Sequence, residues 1–293
     1  MSKMVVGRTC QVLTIAGSDS CAGAGIQADL KAIHANGGYG LVALTAVTAQ
    51  NTREVTASLH LPVDLVRRQI DAVFADFEVA AVKTGMLATA PIVEAVADEL
   101  AGRGVGNLVV DPVMISTSGF ALLEEAAVAA LRARLLPLAR VCTPNRLEAE
   151  ALSGLRITNL TDAGEAARRI RDLGPRAVLV KGGHFDEREA VDLLLDGDEV
   201  RTFRAERIRG RGTHGTGCTL SAALATWLGR GQPLACAVEL SKRFVTEAIR
   251  HGLDVGHGHQ PTNPFFFLEG RDWTHFTADP AGPAGHAEGG GSC

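Results

Sequence analysis

The chain alternates short β-branched runs with helix-like segments, and this alternation limits the possible folds more than any other feature. Six runs have the composition of buried strands, at residues 11–16, 41–47, 79–85, 107–111, 139–143 and 177–181. Helical periodicity separates them. In the segment that begins at Pro62, for example, Val66, Ile70 and Val73 recur on one face. Strands joined through helices usually run parallel, so we expect an α/β fold with a mainly parallel sheet.

A different pattern near the carboxyl end predicts an antiparallel hairpin. Two extended runs there flank Asp196-Gly197, a dipeptide that is favoured in tight turns. We expect one domain at residues 10–270, preceded by an N-terminal extension at 1–9. Residues 271–293 are rich in Gly, Ala and Pro without periodicity, so we expect a flexible tail.

Composition argues against several classes of function. The net charge of −4 over 293 residues gives no electrostatic reason to expect nucleic acid or an anionic membrane as a partner. Aromatic residues make up only 4% of the chain, too few for the stacking platforms of single-strand binders. No apolar run approaches the roughly 18 residues that span a bilayer, and the first residues do not resemble a signal peptide. We therefore expect a cytoplasmic protein.

The cysteine and histidine spacing predicts no metal site. None of the six cysteines forms a C-x-x-C pair, so we expect free thiols and neither a zinc site nor a redox motif. His257 and His259 stand close together but lack a third ligand at suitable spacing, which favours a solvated turn.

The first glycine-rich segment has the form of a dinucleotide-binding pattern, Gly23-x-Gly25-x-x-Ala28. Two tests argue against that function. Several residues separate the strand-like run from Gly23, and the next strand ends near Gln50 without the acid that holds a ribose. We interpret the glycines as permitting close approach of another group. Asp29, one turn into the helix, either points toward that group or simply suits the helix dipole.

The second glycine-rich segment, at residues 210–228, predicts an anion-binding site. It runs directly into a helix with Leu220 and Leu224 on its buried stripe. Free N–H groups and the helix dipole suit the charge of a transferring phosphoryl group, although an ordinary turn is the alternative. Cys218 lies in the first helical turn, where its pKa should fall. A small buried core cysteine is the other interpretation.

Polar side chains follow the predicted strands where an open α/β sheet collects its ligands. Asp111, Asn145 and Glu148 are candidates to hold Mg²⁺, either directly or through water. Equally, Asn145 and Glu148 have the spacing of a capping box. Lys181 and Gly183 close another strand and suit nucleotide phosphates. The chain has neither a P-loop motif nor the protein-kinase signatures.

Seven segments together resemble, in order and spacing, the hydroxymethylpyrimidine/phosphomethylpyrimidine kinases of thiamine biosynthesis, which belong to the ribokinase-like vitamin kinases. They are TIAGSDSCAGAGIQADLKAI, ALTAVTAQNT, KTGML, VVDPVM, TPNRLEAE, VLVKGGH and HGTGCTLSAALA. The resemblance extends from Cys10 to near Glu269. It implies a ribokinase-like three-layer sandwich with a mainly parallel central sheet, helices on both faces and an antiparallel hairpin near one edge.

The resemblance also implies an activity that depends on ATP and Mg²⁺. Such a kinase phosphorylates 4-amino-5-hydroxymethyl-2-methylpyrimidine at its alcohol, and then phosphorylates the product to the pyrophosphate. It further implies a homodimer with small-molecule substrates. A pyridoxal kinase is the nearest alternative, since relatives with the same GTGC loop act on that vitamin; Gln50 favours the pyrimidine. A non-catalytic vitamin-binding protein is a third interpretation, which the phosphoryl-transfer residues Asp111 and Glu148 argue against.

The resemblance assigns roles to the residues that match its motifs. The residues expected to contact the pyrimidine are Gly17, Ala24, Asp29, Thr48, Gln50 and Met86. Those expected to form the anion hole and carry catalysis are Gly215, Thr216, Gly217 and Cys218. Our mechanistic hypothesis is that the Cys218 thiolate acts as the base. The nucleotide-binding set is Asn145, Lys181, Gly183 and Thr213, and the magnesium pair is Asp111 and Glu148. Residues 114–123 are expected to form a lid.

Two residues of the substrate region depart from the family pattern. Thr48 stands where the family is expected to have valine, and a hydroxyl in place of a methyl is not a neutral exchange in a packed pocket. Cys21 replaces an expected serine or glycine in the opening loop, with no consequence expected for activity.

Overall fold

The structure, a computed structural model, describes residues 9–114, 122–182, 189–208 and 212–271. These residues form one sheet of nine strands: β1 (Cys10–Asp19), β2 (Gly38–Gln50), β3 (Val55–His60), β4 (Val79–Thr84), β5 (Leu108–Val110), β6 (Val141–Cys142), β7 (Ala177–Val180), β8 (Glu189–Asp196) and β9 (Glu199–Glu206). The order across the sheet is β3-β2-β1-β4-β5-β6-β7-β8-β9. The six strands from β2 to β7 in that order are mutually parallel. The predicted parallel α/β sheet is therefore confirmed.

Helices cover both faces of the sheet. The α-helices of the described residues are α1 (Gly25–Ala35), α2 (Val63–Asp76), α3 (Ala90–Arg103), α4 (Glu125–Ala130), α5 (Arg146–Ser153), α6 (Leu160–Arg171), α7 (Thr216–Gly229) and α8 (Leu234–Arg250). One apolar core joins the sheet to α2 through α6, and a second joins it to α1, α7 and α8. Side chains of β1 alternate between them, since Leu13 and Ile15 enter the first core and Val12 the second. This is the predicted three-layer sandwich.

The antiparallel hairpin lies where the sequence predicts it. Strands β8 and β9 pair antiparallel, with Asp196 opposite Glu199. Gly197 takes a positive φ of 59° in the turn between them, a conformation that suits glycine. The hairpin extends the sheet beyond β7, so one edge of the molecule is antiparallel.

A second antiparallel strand, β3, is absent from the predicted set. It pairs with β2 at the opposite edge, with Ala57 beside Ala49. Only Val55 of its six residues is buried. An edge strand of this kind carries no continuous apolar run, so it gives no strong sequence signal.

No helix within the described ranges is long and apolar enough to cross a membrane. The predicted N-terminal extension and tail lie outside the described residues, apart from Thr9 and Arg271.

Candidate functional site

The carboxyl ends of the parallel strands and the amino end of α7 surround a cavity of about 170 Å³. That is more than ten times the roughly 10–15 Å³ that a single water needs, so the cavity has room for an organic ring. Strand β1 contributes Asp19, β2 contributes Gln50, and Asp111 follows β5. An opening at this edge is where an α/β sheet binds its ligands.

The Asp19 carboxylate shapes the first glycine-rich loop. It accepts hydrogen bonds from the backbone N–H groups of Cys21 (2.9 Å), Gly23 (3.1 Å) and Ala24 (2.8 Å). It also lies 2.9 Å from His214 Nε2 in the second loop. Burial alone would raise the Asp19 pKa, but these hydrogen bonds, together with one from the Cys21 thiol, lower the pKa to about 2. Asp19 is therefore ionised and draws the two loops together.

The glycines of the first loop serve this contact between loops. A Cβ atom on Gly23 would lie 2.1 Å from His214 Cδ2, and one on Gly215 would lie 1.8 Å from the Gly23 carbonyl oxygen. Gly215 also has a φ of +76°. Gly23 of the dinucleotide-like pattern is therefore required by the packing of the first loop against the second, which agrees with the two tests that argue against a dinucleotide site.

The second loop ends at the first turn of α7, which is the predicted anion hole. Gly215 is the N-cap residue, and Thr216, Gly217 and Cys218 form the first turn. Backbone N–H groups in a first turn lack helical acceptors and carry the positive end of the dipole. A Cβ on Gly217 would stand 3.2 Å from Lys181 Nζ. Glycine therefore lets this cation approach the amides closely.

The structure corrects the expected acidity of Cys218. Its thiol is half-buried at the cavity wall, and its pKa is raised to about 11 where the sequence predicts a fall. Burial disfavours the thiolate, and the Asp29 and Asp111 carboxylates add to that effect. The Lys83 ammonium and the Gly25 N–H lower the pKa but do not offset these causes. A prediction of the Cys218 pKa from helix position alone gives the wrong direction of shift, because it leaves out the effect of burial.

Asp29 lies apart from the cavity wall, in contrast to its predicted contact with the pyrimidine. It is fully buried, and its carboxylate accepts hydrogen bonds from Lys83 Nζ at 2.8 and 2.9 Å and from the Thr14 hydroxyl at 2.6 Å. Lys83 lines the cavity in its place. The Lys83 pKa is raised, because the adjacent Asp29 charge more than offsets burial. A lysine inside the apolar run of β4 is the sequence signal that could have revealed this position.

Removing one partner of this buried ion pair should destabilise the fold more than removing both. Lys83→Met leaves the Asp29 carboxylate buried without its counter-charge, which should cost about 3–5 kcal/mol. The double variant Asp29→Leu/Lys83→Met restores charge balance and should recover much of that loss. Urea unfolding monitored by circular dichroism measures the free energy of unfolding of both variants. Equal stability of the single and double variants would contradict the coupling.

Asn145 and Glu148 form the capping box that was one of the two interpretations of their spacing. The Asn145 side chain accepts from the Glu148 N–H at 2.9 Å, and Glu148 Oε2 accepts from the Asn145 N–H at 2.7 Å. Both residues also line the cavity. Burial and the nearby Asp111 charge raise the Glu148 pKa to about 7, although the Lys181 ammonium opposes them. The cap and a cation site are therefore compatible.

One wall of the cavity contains four of the residues predicted to contact the pyrimidine, which are Gly17, Thr48, Gln50 and Met86. Gly17 lies against Met86, since a Cβ there would be 3.1 Å from the sulfur. The Thr48 hydroxyl donates to the Ser18 carbonyl at 2.9 Å and lies 3.2 Å from Gln50 Oε1. Its polar group is therefore satisfied by protein, and the departure from valine is accommodated within the wall.

A second cavity adjoins the first beside the first turn of α7. Apolar side chains line one side of it, and Asp192 and Lys242 pair at 2.7 Å on another. The two cavities share five residues, which are Asn145, Lys181, Thr213, Thr216 and Gly217. Two pockets thus meet at the first turn of α7 and the Lys181 ammonium.

Most predicted site residues therefore come together around the first cavity. Those that line it are Gly17, Ala24, Thr48, Gln50, Met86, Asp111, Asn145, Glu148, Lys181, Thr213, Gly215, Thr216, Gly217 and Cys218. Asp29 does not. Gly183 lies outside the described residues, as does most of the predicted lid, at 115–121.

The family model described as phosphomethylpyrimidine kinase matches residues 19–263. The chain belongs to this family. It is therefore a phosphotransferase of the ribokinase-like group. The hydroxymethylpyrimidine/phosphomethylpyrimidine kinase of Streptomyces coelicolor is 50% identical over 252 residues, which cover 86% of this chain and 93% of that protein.

Solved structures with the same fold include two kinds of vitamin kinase. The phosphomethylpyrimidine kinase of Clostridium difficile has a TM-score of 0.73 at 44% identity, covering 82% of this chain and 99% of that one. The pyridoxal kinase of Staphylococcus aureus in complex with AMP-PCP and pyridoxal has a TM-score of 0.83 at 34% identity, covering 90% and 96%. Sequence identity is thus higher to the pyrimidine kinase, although the pyridoxal kinase superposes slightly better.

Proposed function

We propose that this protein transfers the γ-phosphoryl group of ATP to 4-amino-5-hydroxymethyl-2-methylpyrimidine, and then phosphorylates the monophosphate to the pyrophosphate. The observation that carries this proposal is the meeting of two cavities at the first turn of α7. A phosphoryl donor in one cavity and an acceptor in the other would face each other across Thr216 and Gly217. Phosphoryl transfer needs this positioning and charge stabilisation more than covalent chemistry.

The pyrimidine would occupy the first cavity. Gln50 offers an amide that can donate to and accept from an aminopyrimidine edge, and Met86 and Gly17 supply an apolar wall. ATP would occupy the second cavity, where Leu220, Val245 and Ile249 form an apolar lining suited to a purine. Lys181 stands where the two cavities join and would meet the phosphates.

Asp111 and Glu148 would hold Mg²⁺. Both carboxylates are buried, and the Asp111 charge contributes to raising the pKa of Glu148, so a divalent cation between them would relieve this repulsion. Hard oxygen ligands of this kind suit Mg²⁺. When bound, the ion would neutralise charge on the transferring phosphates. The N–H groups of α7 and the Lys181 ammonium would stabilise the remaining charge on the γ-phosphoryl oxygens.

Cys218 would accept the proton of the substrate alcohol. With a pKa of about 11 the thiol is protonated at neutral pH, so the reactive thiolate is a small fraction that grows tenfold per pH unit. Lys83, beside it, stabilises that thiolate. The homodimer and the cytoplasmic location stay predictions.

Incubation of the protein with MgATP and the pyrimidine alcohol, and in parallel with pyridoxal, tests the proposed substrate. Mass analysis should show a pyrimidine monophosphate that converts to the pyrophosphate. Gln50→Leu should raise the KM for the pyrimidine while leaving ATP hydrolysis without acceptor unchanged, because only the acceptor pocket is altered. Phosphorylation of pyridoxal alone would overturn the assignment in favour of a pyridoxal kinase.

Replacement of Cys218 tests its role as the base. Cys218→Ala should lower kcat by about a hundredfold or more. For the wild-type protein, log(kcat/KM) should rise with a slope near one from pH 8 to pH 10, since the deprotonated thiol is the active form and its pKa lies above this range. The profile of the variant should be flat. Cys236→Ser, which alters an exposed thiol, is the matched control. Near-normal turnover in Cys218→Ala would exclude the thiolate as base.

Replacement of Glu148 tests the magnesium site. Glu148→Gln keeps the capping box, because glutamine makes the same side-chain contact, but removes the negative charge. The Mg²⁺ concentration for half-maximal rate should rise on the order of tenfold or more. The control variant Glu94→Gln, at an exposed position on α3, should leave that Mg²⁺ concentration unchanged. An unaltered Mg²⁺ dependence in Glu148→Gln would place the ion elsewhere.

A further inference from the structure

Three potential ligands of a soft or borderline metal ion meet at the edge of the acceptor cavity, although they are far apart in sequence. Asp19 Oδ2, Cys21 Sγ and His214 Nε2 all lie within 4.8 Å of one another. The sulfur is 3.6 Å from the imidazole nitrogen and 3.2 Å from the carboxylate oxygen, and the last two atoms are 2.9 Å apart. Cys21 and His214 are separated by 193 residues, so no spacing motif reveals them.

These separations are close to those of a tetrahedral zinc site. With Zn–S of about 2.3 Å and Zn–N and Zn–O of about 2.0–2.2 Å, tetrahedral geometry places the ligand atoms roughly 3.4–3.6 Å apart. The distance from Cys21 Sγ to His214 Nε2 already has this value. The two shorter distances, which run from Asp19 Oδ2 to those two atoms, need to increase by a few tenths of an ångström. A thiolate, an imidazole and a carboxylate are all common zinc ligands.

The surroundings of the three side chains are those of a built site. Asp19 and His214 are 3% and 4% exposed, and backbone N–H groups of Gly23 and Ala24 hold the carboxylate in place. Ligating carboxylates are typically anchored by such hydrogen bonds. Cys21 is only half-buried, which gives the ion an entry path.

We propose that Asp19, Cys21 and His214 bind Zn²⁺ at the edge of the acceptor cavity. Binding displaces the thiol proton of Cys21 to solvent, so that the sulfur coordinates as thiolate. Mg²⁺ does not compete, because it prefers oxygen ligands in octahedral geometry. Three protein ligands leave a fourth position for water or another group.

Gln50 links this site to the acceptor cavity. Its Nε2 atom lies 3.4 Å from His214 Nε2, the atom that would coordinate the ion. A cation at that nitrogen repels the amide NH₂ group and attracts the amide oxygen, so Gln50 turns away from the acceptor. On the proposed function, Zn²⁺ therefore raises the KM for the pyrimidine. This second effect rests on the proposed function, whereas metal binding itself does not.

Optical titration with Co²⁺ tests the metal site without reference to activity. Chelator-treated protein should bind one Co²⁺ ion with the visible bands of tetrahedral coordination and a near-ultraviolet thiolate-to-cobalt band, and Zn²⁺ should displace it. Cys21→Ser should abolish the thiolate band and weaken binding by at least about tenfold. The control variant Cys236→Ser should change neither the thiolate band nor the affinity for Co²⁺. Retention of the thiolate band in Cys21→Ser, or a spectrum of octahedral oxygen ligands only, would overturn the site.

Steady-state kinetics then test the coupling to Gln50. At saturating MgATP, stoichiometric Zn²⁺ should raise the pyrimidine KM of the wild-type protein about tenfold, with a smaller effect on kcat, and should leave Cys21→Ser unaffected. An unchanged KM in a protein whose cobalt spectrum shows the thiolate band would overturn the coupling. Failure of the proposed function would give a different result. In that case, protein free of Zn²⁺ would not phosphorylate the pyrimidine.

Discussion

The buried carboxylate of Asp111 holds the site together. It accepts hydrogen bonds from Lys181 Nζ at 2.8 Å and from the Ser221 hydroxyl at 3.0 Å. Burial alone would raise its pKa, but the Lys181 and Lys83 charges keep the pKa below its usual value. The Asp111 carboxylate therefore links the end of β5 to the end of β7 and to α7. The position of the first turn of α7 relative to the sheet follows from this interaction.

The same edge of the sheet contains a second buried charge pair, Asp29 with Lys83, and a third acid, Glu148. Charges cannot stay buried without partners, so each one restricts the arrangement of its neighbours. The pKa of Glu148 is raised to about 7 by burial and by the Asp111 charge, which the Lys181 ammonium offsets only in part. A cation bound beside Glu148 would complete that compensation.

Sequence patterns predicted the parallel sheet, the hairpin at Asp196-Gly197 and the glycine-rich loop that runs into α7, because each depends on local order of residue types. They failed where burial determines the surroundings or the pKa of a side chain. Asp29 has the helix position of a pocket residue but faces Lys83 inside the protein. Cys218 has the helix position of an acidic thiol, yet its pKa rises because the surrounding protein excludes water.

The sequence by itself determined the fold class and the strand-end residues of the cavity wall, since strand ends in a parallel sheet must share one edge. The family resemblance supplied most of the remaining wall residues. Tertiary structure alone decided which charges pair and which side chains from distant loops meet. Asp19, Cys21 and His214 come together only because Gly23 and Gly215 let two backbones touch. Spacing along the chain carries no record of that contact, and so no sequence pattern grouped the three proposed zinc ligands together.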